Sequence, residues 1–420
     1  MITDTNAYNI EMLNQLALEK ISQQNLNNAL TQYLNQYTTC FTHPSQTKYF
    51  KTYQQGLLSN LDRKSIEPIA LHFLNQHQVR HLQQFFKRPK NWQQPLTQTY
   101  QTQLANQIAD PDGFLSIDDC CHIKKGTNSA GVARQYCGRI GKKENCQSGV
   151  YVSYASKKGY GIVDTQLYLP KQWFDPPHFD KRIQCEIPKD LKFQTKNDIA
   201  AQMITNILNK GQFPVKWVGC DAAFGSDQGF LDGLPSGVCY FASVRENQYI
   251  YLTLPTVEVP KNPPGQGGRF VHPRACAEPV YIKSILEDKS VVWERRIIAQ
   301  GAKGPVWAEV VCVRAYSCRC VNRLFVPTVP IWVYIRRYED GAIKYFISNA
   351  SENTELAVLD RLATMRWSIE QCFQECKSFL GMSHYETRSY QGWHRHMLLV
   401  MVAHLFTTVL RGALKKTTFT

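Results

Sequence analysis

Three acidic positions in this 420-residue chain have the residue types and settings that polynucleotidyl-transfer chemistry needs. Asp118 and Asp119 end the apolar run Phe114-Leu115-Ser116-Ile117, Asp221 ends Val215-Lys216-Trp217-Val218-Gly219-Cys220, and Glu370 follows Met365-Arg366-Trp367-Ser368-Ile369. Two strand-borne Asp and one helix-borne Glu make a carboxylate cluster able to hold two divalent metals beside a phosphodiester. On an extended strand side chains alternate, so Asp119 shares a face with Leu115 and Ile117, while Asp118 shares the other with Phe114 and Ser116. Either Asp is able to turn into such a site.

Leu362, Met365, Ile369, Phe373, Cys376 and Leu380 recur at helical spacing, which predicts one helix over 359–380. At about 100° per residue, Arg366, Glu370 and Lys377 fall within roughly 40° of one another on the flank of that stripe. A carboxylate there suits a metal and the two cations suit phosphates. A solvated face with Arg366 paired to Glu370 four residues on is the structural alternative. Lys124-Lys125-Gly126, shortly after the first acids, is a further place for a phosphate, and Arg134, Arg139, Lys142 and Lys143 make a basic loop region.

The elements that must position these groups change character along the chain. Residues 1–110 read as helical, with Ile66, Ile69, Ala70 and Phe73 as one stripe and Val79, Leu82, Phe85 and Phe86 as the next, closed by Lys87-Arg88-Pro89-Lys90. Short helices with a basic end suit DNA docking. From 111 to 248, strands at 114–119, 150–155 and 162–169 precede a helix at 198–210 and strands at 215–220 and 239–244. Acids ending the first and fourth strands of this order predict the first part of an α/β, ribonuclease-H-like core. Residues 249–351 interrupt it with a Pro/Gly-rich loop, Pro260 to Gly268, and long β-rich runs that predict an antiparallel insertion. Residues 352–420 return to helix.

The formal net charge of +14 favours a polyanionic partner. Met1 to Asn14 is polar and shows no signal peptide. Met397 to Leu410 is too short to span a bilayer and reads as a buried helix. The 14 cysteines follow no regular framework, and Cys312, Cys318 and Cys320 lack the C-x-x-C pair of a zinc site, so reduced, buried thiols are expected.

Taken together, the residues resemble bacterial insertion-sequence transposases of the DDE class. Arg366-x-x-x-Glu370 followed by Lys377 matches their signature around the catalytic Glu, in the context Arg366-Trp367-x-Ile369-Glu370. Further matching stretches are Asp118-Asp119 with Lys124-Lys125-Gly126; Gly131 to Gly138; Asn145-Cys146-Gln147; Tyr385-Glu386-x-Arg388-Ser389; and Gly392-Trp393-x-Arg395-His396. Cys120 stands where that family has Thr, and Ala363 where it has Tyr. The resemblance implies Asp119, Asp221 and Glu370 as catalytic metal ligands, with Asp119 chosen over Asp118 because the ligand precedes the small hydroxyl position. It implies two Mg²⁺ ions, with Mn²⁺ as a substitute. It also implies cleavage at element ends and strand transfer into target DNA, and a homodimer on that DNA in the bacterial cytoplasm. Arg366, Lys377, Lys124, Lys125, Arg134, Arg388, Trp393 and Arg395 are the candidate DNA contacts. For Trp393 and Arg395, which open the last helix, a buried structural role is the alternative. The competing functional reading is a decayed or repurposed copy that binds DNA without cutting it.

Overall fold

The computed structural model describes residues 23–87, 92–259, 273–301, 304–321 and 324–417. Expectations about Met1 to Asn14, Arg88 to Lys90 and Pro260 to Gly268 lie outside the described residues. In chain order the helices are α1 (Gln23–Asn35), α2 (Pro44–Leu58), α3 (Ile66–Phe73), α4 (Val79–Lys87) and α5 (Gln93–Ile108). Strands β1 (Phe114–Ile123), β2 (Ala133–Cys137), β3 (Lys142–Ser156) and β4 (Gly159–Tyr168) follow, then α6 (Phe179–Gln184) and α7 (Lys196–Lys210). Next come β5 (Trp217–Cys220), α8 (Ala222–Gly225), α9 (Gln228–Asp232), β6 (Cys239–Val244), β7 (Tyr249–Tyr251), β8 (Val257–Glu258), β9 (Arg274–Ala275) and β10 (Val280–Tyr281). The chain closes with β11 (Glu294–Gly301), β12 (Gly304–Val321), β13 (Leu324–Tyr338), β14 (Ile343–Ser348), α10 (Leu356–Met365), α11 (Ser368–Ser378) and α12 (Tyr390–Thr417).

The chain divides into two compact units, one of Met1–Gly113, Asp118–Pro214 and Ser368–Thr420, the other of Phe114–Ile117 and Val215–Trp367. In the first unit, α12 is buried nearly all round: Trp393, Leu399, Val402 and Ala403 are fully covered. Its window Tyr390–Ala413 is apolar enough to cross a membrane by composition, but most of it is packed inside the unit. The N-terminal helices supply that cover and satisfy the polar groups it hides. The Tyr53 hydroxyl meets His396 Nδ1 at 2.9 Å, Gln54 donates to the Leu399 carbonyl at 2.9 Å, and Tyr33 donates to the Val402 carbonyl at 2.7 Å. The helices of 23–108 therefore share a core with α12.

Strands β2, β3 and β4 of this unit form an antiparallel meander, with Ala133 opposite Cys146 and Ser148 opposite Tyr168. Helix α7 is set by its own sequence. Thr195 and Asp198 form a reciprocal capping box, Ile199, Ala200, Met203, Ile204 and Ile207 are buried, and Gly211 ends it with φ 65°.

The second unit is a mixed sheet. The first half of β1 runs parallel to β5, Phe114 opposite Trp217, and β5 runs parallel to β6. Beyond β6 every pairing is antiparallel: β14 on β6, β13 on β14, β12 on β13, and β7 and β11 on β12. The antiparallel strands expected after residue 249 thus extend the sheet that holds β5 and β6. Phe114, Trp217, Phe241, Tyr334, Phe346, Leu359 and Leu362 make its core, with Phe241 stacked on Phe346 at 5.1 Å. Gly219 is required where β5 passes Phe114, because a Cβ there would sit 2.2 Å from the ring.

Three boundaries differ from the sequence expectation. Strand β1 does not stop at Asp119 but continues to Ile123, because Cys120, Cys121 and His122 are buried. A strand, β2, is added and β3 begins at Lys142, so Asp221 follows the fifth strand rather than the fourth. Both additions are polar edge segments with exposed Arg134, Lys142 and Lys143, which carry little apolar alternation. The helix expected over 359–380 is two helices, interrupted at Arg366-Trp367. Leu359, Leu362 and Ala363 are buried in the second unit and Ile369, Cys372, Phe373 and Cys376 in the first, so the chain changes core at that point.

Candidate active site

Asp118 and Asp119 lie on opposite faces of β1, and the two faces are built differently. On the Asp119 face, its Oδ2 accepts from Lys196 Nζ at 2.7 Å and from the Ser148 hydroxyl at 2.8 Å, and the Cys121 thiol lies 3.7 Å away. Lys196 is the first residue of α7. Burial would lower its ammonium, but Asp119 outweighs that and holds it above the usual lysine value. Asp119 is thus committed to an ion pair only about a quarter exposed on each side.

The Asp118 face carries Cys120 and His122. The Cys120 thiol lies 3.7 Å from His122 Nε2, which in turn lies 3.5 Å from the Tyr151 hydroxyl. Tyr151 packs against Phe373 of α11 at 5.1 Å and donates to Met397 of α12 at 3.4 Å. Lys377, in the last turn of α11, brings its ammonium near the Cys120 thiol. Burial pushes that thiol up to about 12, with Lys377 pulling against it and Asp118 adding to it. His122 is driven well below the usual histidine value by burial, with Lys377 and Lys124 adding to the effect, so it is neutral at pH 7. Helix α11 thus packs on β3 and β4, and its last turn brings Lys377 to the face of β1 that bears Asp118.

On α11, Glu370 sits in the first turn and Lys377 in the last, about 10 Å apart along the axis. Both are half-buried, and one oxygen of Glu370, Oε2, is shielded from solvent. An acid at the N-terminus and a base at the C-terminus also suit the helix dipole, so stability alone offers a reason for both. In the second unit, Asp221 is the N-cap of α8, accepting from the Ala223 and Phe224 amides at 3.0 and 3.3 Å. Arg366 caps the end of α10 with its side chain buried, and its carbonyl accepts from Ser116 at 3.5 Å. The array of Arg366, Glu370 and Lys377 along one helix edge is therefore not formed as expected, since the helix breaks between the first two.

The other candidate contacts separate by exposure. Lys125, Arg134 and Arg388 are exposed. Lys124 is engaged: its Nζ lies 3.5 Å over the Tyr385 ring and donates to the Tyr385 carbonyl at 3.1 Å, and burial lowers its ammonium to about 8. Trp393 and Arg395 are fully buried, which corrects their reading as DNA contacts. Arg395 donates to the Phe86 carbonyl at 2.8 Å and lies 4.8 Å over the Trp92 ring, and Trp393 fills the space left by Gly149, where a Cβ would meet its ring at 2.7 Å. Sequence reasoning missed Lys196 and Ser148. Lys196 stands 77 residues from Asp119, and nothing in its local sequence marks it.

A family described as DDE superfamily endonuclease matches residues 36–305, more than half of the chain. This chain belongs to the DDE superfamily endonucleases. The match includes Asp118, Asp119 and Asp221 and stops short of Glu370. A probable transposase for insertion sequence element IS701 from Microchaete diplosiphon is 26% identical to this DDE chain over 233 residues, 53% of this chain and 55% of that protein. The chain thus spans about half the length of the curated relative it matches. A solved structure of a piggyBac transposase synaptic complex with hairpin DNA is similar across 99% of this chain and 74% of its own, at 10% identity and a TM-score of 0.37, too low to carry an argument.

Proposed function

We propose that this DDE-family protein is an insertion-sequence transposase that cuts at the ends of its element and joins them to target DNA, on a ribonuclease-H-like core. The observation that carries the reading is the placement of Lys377, in the last turn of the helix that also bears Glu370, at the face of β1 that bears Asp118, in a chain whose family is that of DDE endonucleases. We assign the first ligand position to Asp118 in place of Asp119, because Asp119 turns to Lys196 on the other face. Asp221, at the end of β5, is the second carboxylate by its position in the motif order.

Carboxylate oxygens are the hard donors that Mg²⁺ or Mn²⁺ takes, so the residue types fit the two ions this chemistry uses. Bound there, such ions would lower the pKa of a hydroxyl nucleophile and neutralise charge on the attacked phosphate. The chain's own groups have separable tasks. Asp118 and Glu370 present negative charge, Lys377 places a cation on the Asp118 face for a phosphate, and neutral His122 adds no competing positive charge. Exposed Lys125, Arg134, Arg139, Lys142, Lys143 and Arg388 supply sequence-independent grip on DNA backbone. A DNA pair of element ends would be served by two copies of the chain.

The test is a pair of substitutions. Glu370→Gln keeps the size and removes the charge; it is expected to abolish Mg²⁺-dependent nicking of element-end DNA and leave end binding intact. Lys377→Ala is expected to weaken end binding and retain cleavage at high protein concentration. Full cleavage by Glu370→Gln would leave the acid as a helix-dipole partner and remove the proposal.

A further inference from the structure

Cys121 on β1, Cys137 at the end of β2 and Cys146 on β3 bring their sulfurs together within 4.8 Å of one another, all three buried. The cysteines sit 16 and 9 positions apart, and the antiparallel β2–β3 hairpin with its turn at Gly138–Ile140 and Gly141 (φ 64°) folds two of them back toward β1. Ile140 closes the cluster on one side.

We propose that Cys121, Cys137 and Cys146 bind a structural zinc ion through their three thiolates. A tetrahedral zinc holds sulfur at about 2.3 Å, which separates neighbouring sulfurs by about 3.8 Å. The sulfurs here need to close by at most about 1 Å to meet that geometry. Three thiolates around Zn²⁺ leave a net negative site, and the Lys196 ammonium, which already favours the charged forms of Cys121 and Cys146, offsets part of that charge. Binding releases the three thiol protons to solvent and changes no oxidation state.

The consequence is mechanical. The β2–β3 hairpin carries Arg134, Arg139, Lys142 and Lys143 on its exposed positions. A zinc clamp at its base pins that basic hairpin to β1, three residues from Asp118, so that the cations are presented in a fixed place. This part of the inference rests on the reading of the hairpin as a DNA contact; the metal site itself does not.

The full chain, without an affinity tag and purified without chelator from zinc-supplemented culture, is expected to carry about one zinc per chain. Cys137→Ser and Cys146→Ser are expected to lose it, and Cys276→Ser, an exposed thiol, to keep it. Should the two cluster variants fail to fold, the unmodified chain decides. Stripped of metal and titrated with Co²⁺, it should develop a thiolate-to-cobalt charge-transfer band that saturates at one equivalent. Absence of that band, zinc retained in Cys137→Ser, or a disulfide between two of the three in protein that holds no zinc would each overturn the site. Metal content is read without DNA, so loss of nicking activity leaves this result untouched.

Discussion

Exchanging Asp118 and Asp119 in turn for Asn separates a catalytic carboxylate from a structural one. Asp119 accepts from Lys196 at 2.7 Å and from Ser148 at 2.8 Å, and hydrogen bonds to a charged group contribute about 1.5–3 kcal/mol each when buried. The pair is about a quarter exposed, so the ion-pair part is discounted and Asp119→Asn is expected to cost roughly 1–3 kcal/mol of stability. A double-mutant cycle with Lys196→Met should return a coupling of about 1 kcal/mol. Nicking per folded molecule should stay within about tenfold of the parent, because no reacting group has been removed. Asp118→Asn should do the reverse. Losing a ligand that neutralises developing charge costs about 4 kcal/mol of barrier, roughly a thousandfold in rate, with little change in the urea midpoint. The assay is Mg²⁺-dependent nicking of element-end DNA, normalised to folded protein by circular dichroism. If Asp119→Asn abolishes nicking while Asp118→Asn keeps it, the face assignment is wrong and the choice made from the motif is right.

Acid should destabilise the first unit in two stages. His394 and His396 are buried, which lowers them to about 4 and about 3, so each costs stability as pH falls below about 6.5. For Glu375 burial works upward, but His404, Arg411 and Tyr160 outweigh it and hold the carboxyl at about 2. Its contribution of roughly 3 kcal/mol is present above pH 4.5 and lost as pH falls toward 2. Glu375→Gln should remove only the second stage in urea titrations taken from pH 7 to 2; parallel curves would exclude the network's role. DNA affinity should fall with salt at a log–log slope of about −0.9 per phosphate contacted, and neutralising Arg134, Lys142 and Lys143 together should flatten the slope by up to about 2.7. An unchanged slope would place the DNA elsewhere. Trp393→Ala should cost about 3–5 kcal/mol of stability and leave DNA binding per folded molecule unchanged, and a selective loss of binding would restore its role as a contact.

How much could be read in the sequence depended on whether the deciding interaction was local. Helix α7 was legible because its start lies in Thr195 and Asp198 and its buried face in Ile199, Met203, Ile204 and Ile207. Strands β5, β6, β12 and β13 were legible as apolar runs. Strand β2 and the start of β3 were not, since their edge residues stay hydrated and show no alternation. The break at Arg366-Trp367 was hidden for a different reason. The apolar period runs unbroken from Leu359 to Leu380, and only the tertiary structure reveals that its two halves are buried in different units.

The same rule explains the site. Strand geometry alone says that Asp118 and Asp119 oppose each other, but which one faces α11 depends on Lys196 and Lys377, neither near them in sequence. The cysteines make the point most sharply. Cys312, Cys318 and Cys320 are close in sequence, whereas the sulfurs that meet belong to Cys121, Cys137 and Cys146 on three strands. Short-range spacing finds ligands only where one turn or one hairpin supplies them in pairs. Where a sheet supplies them one per strand, the register must be known first, and here that register includes the strand the sequence did not announce.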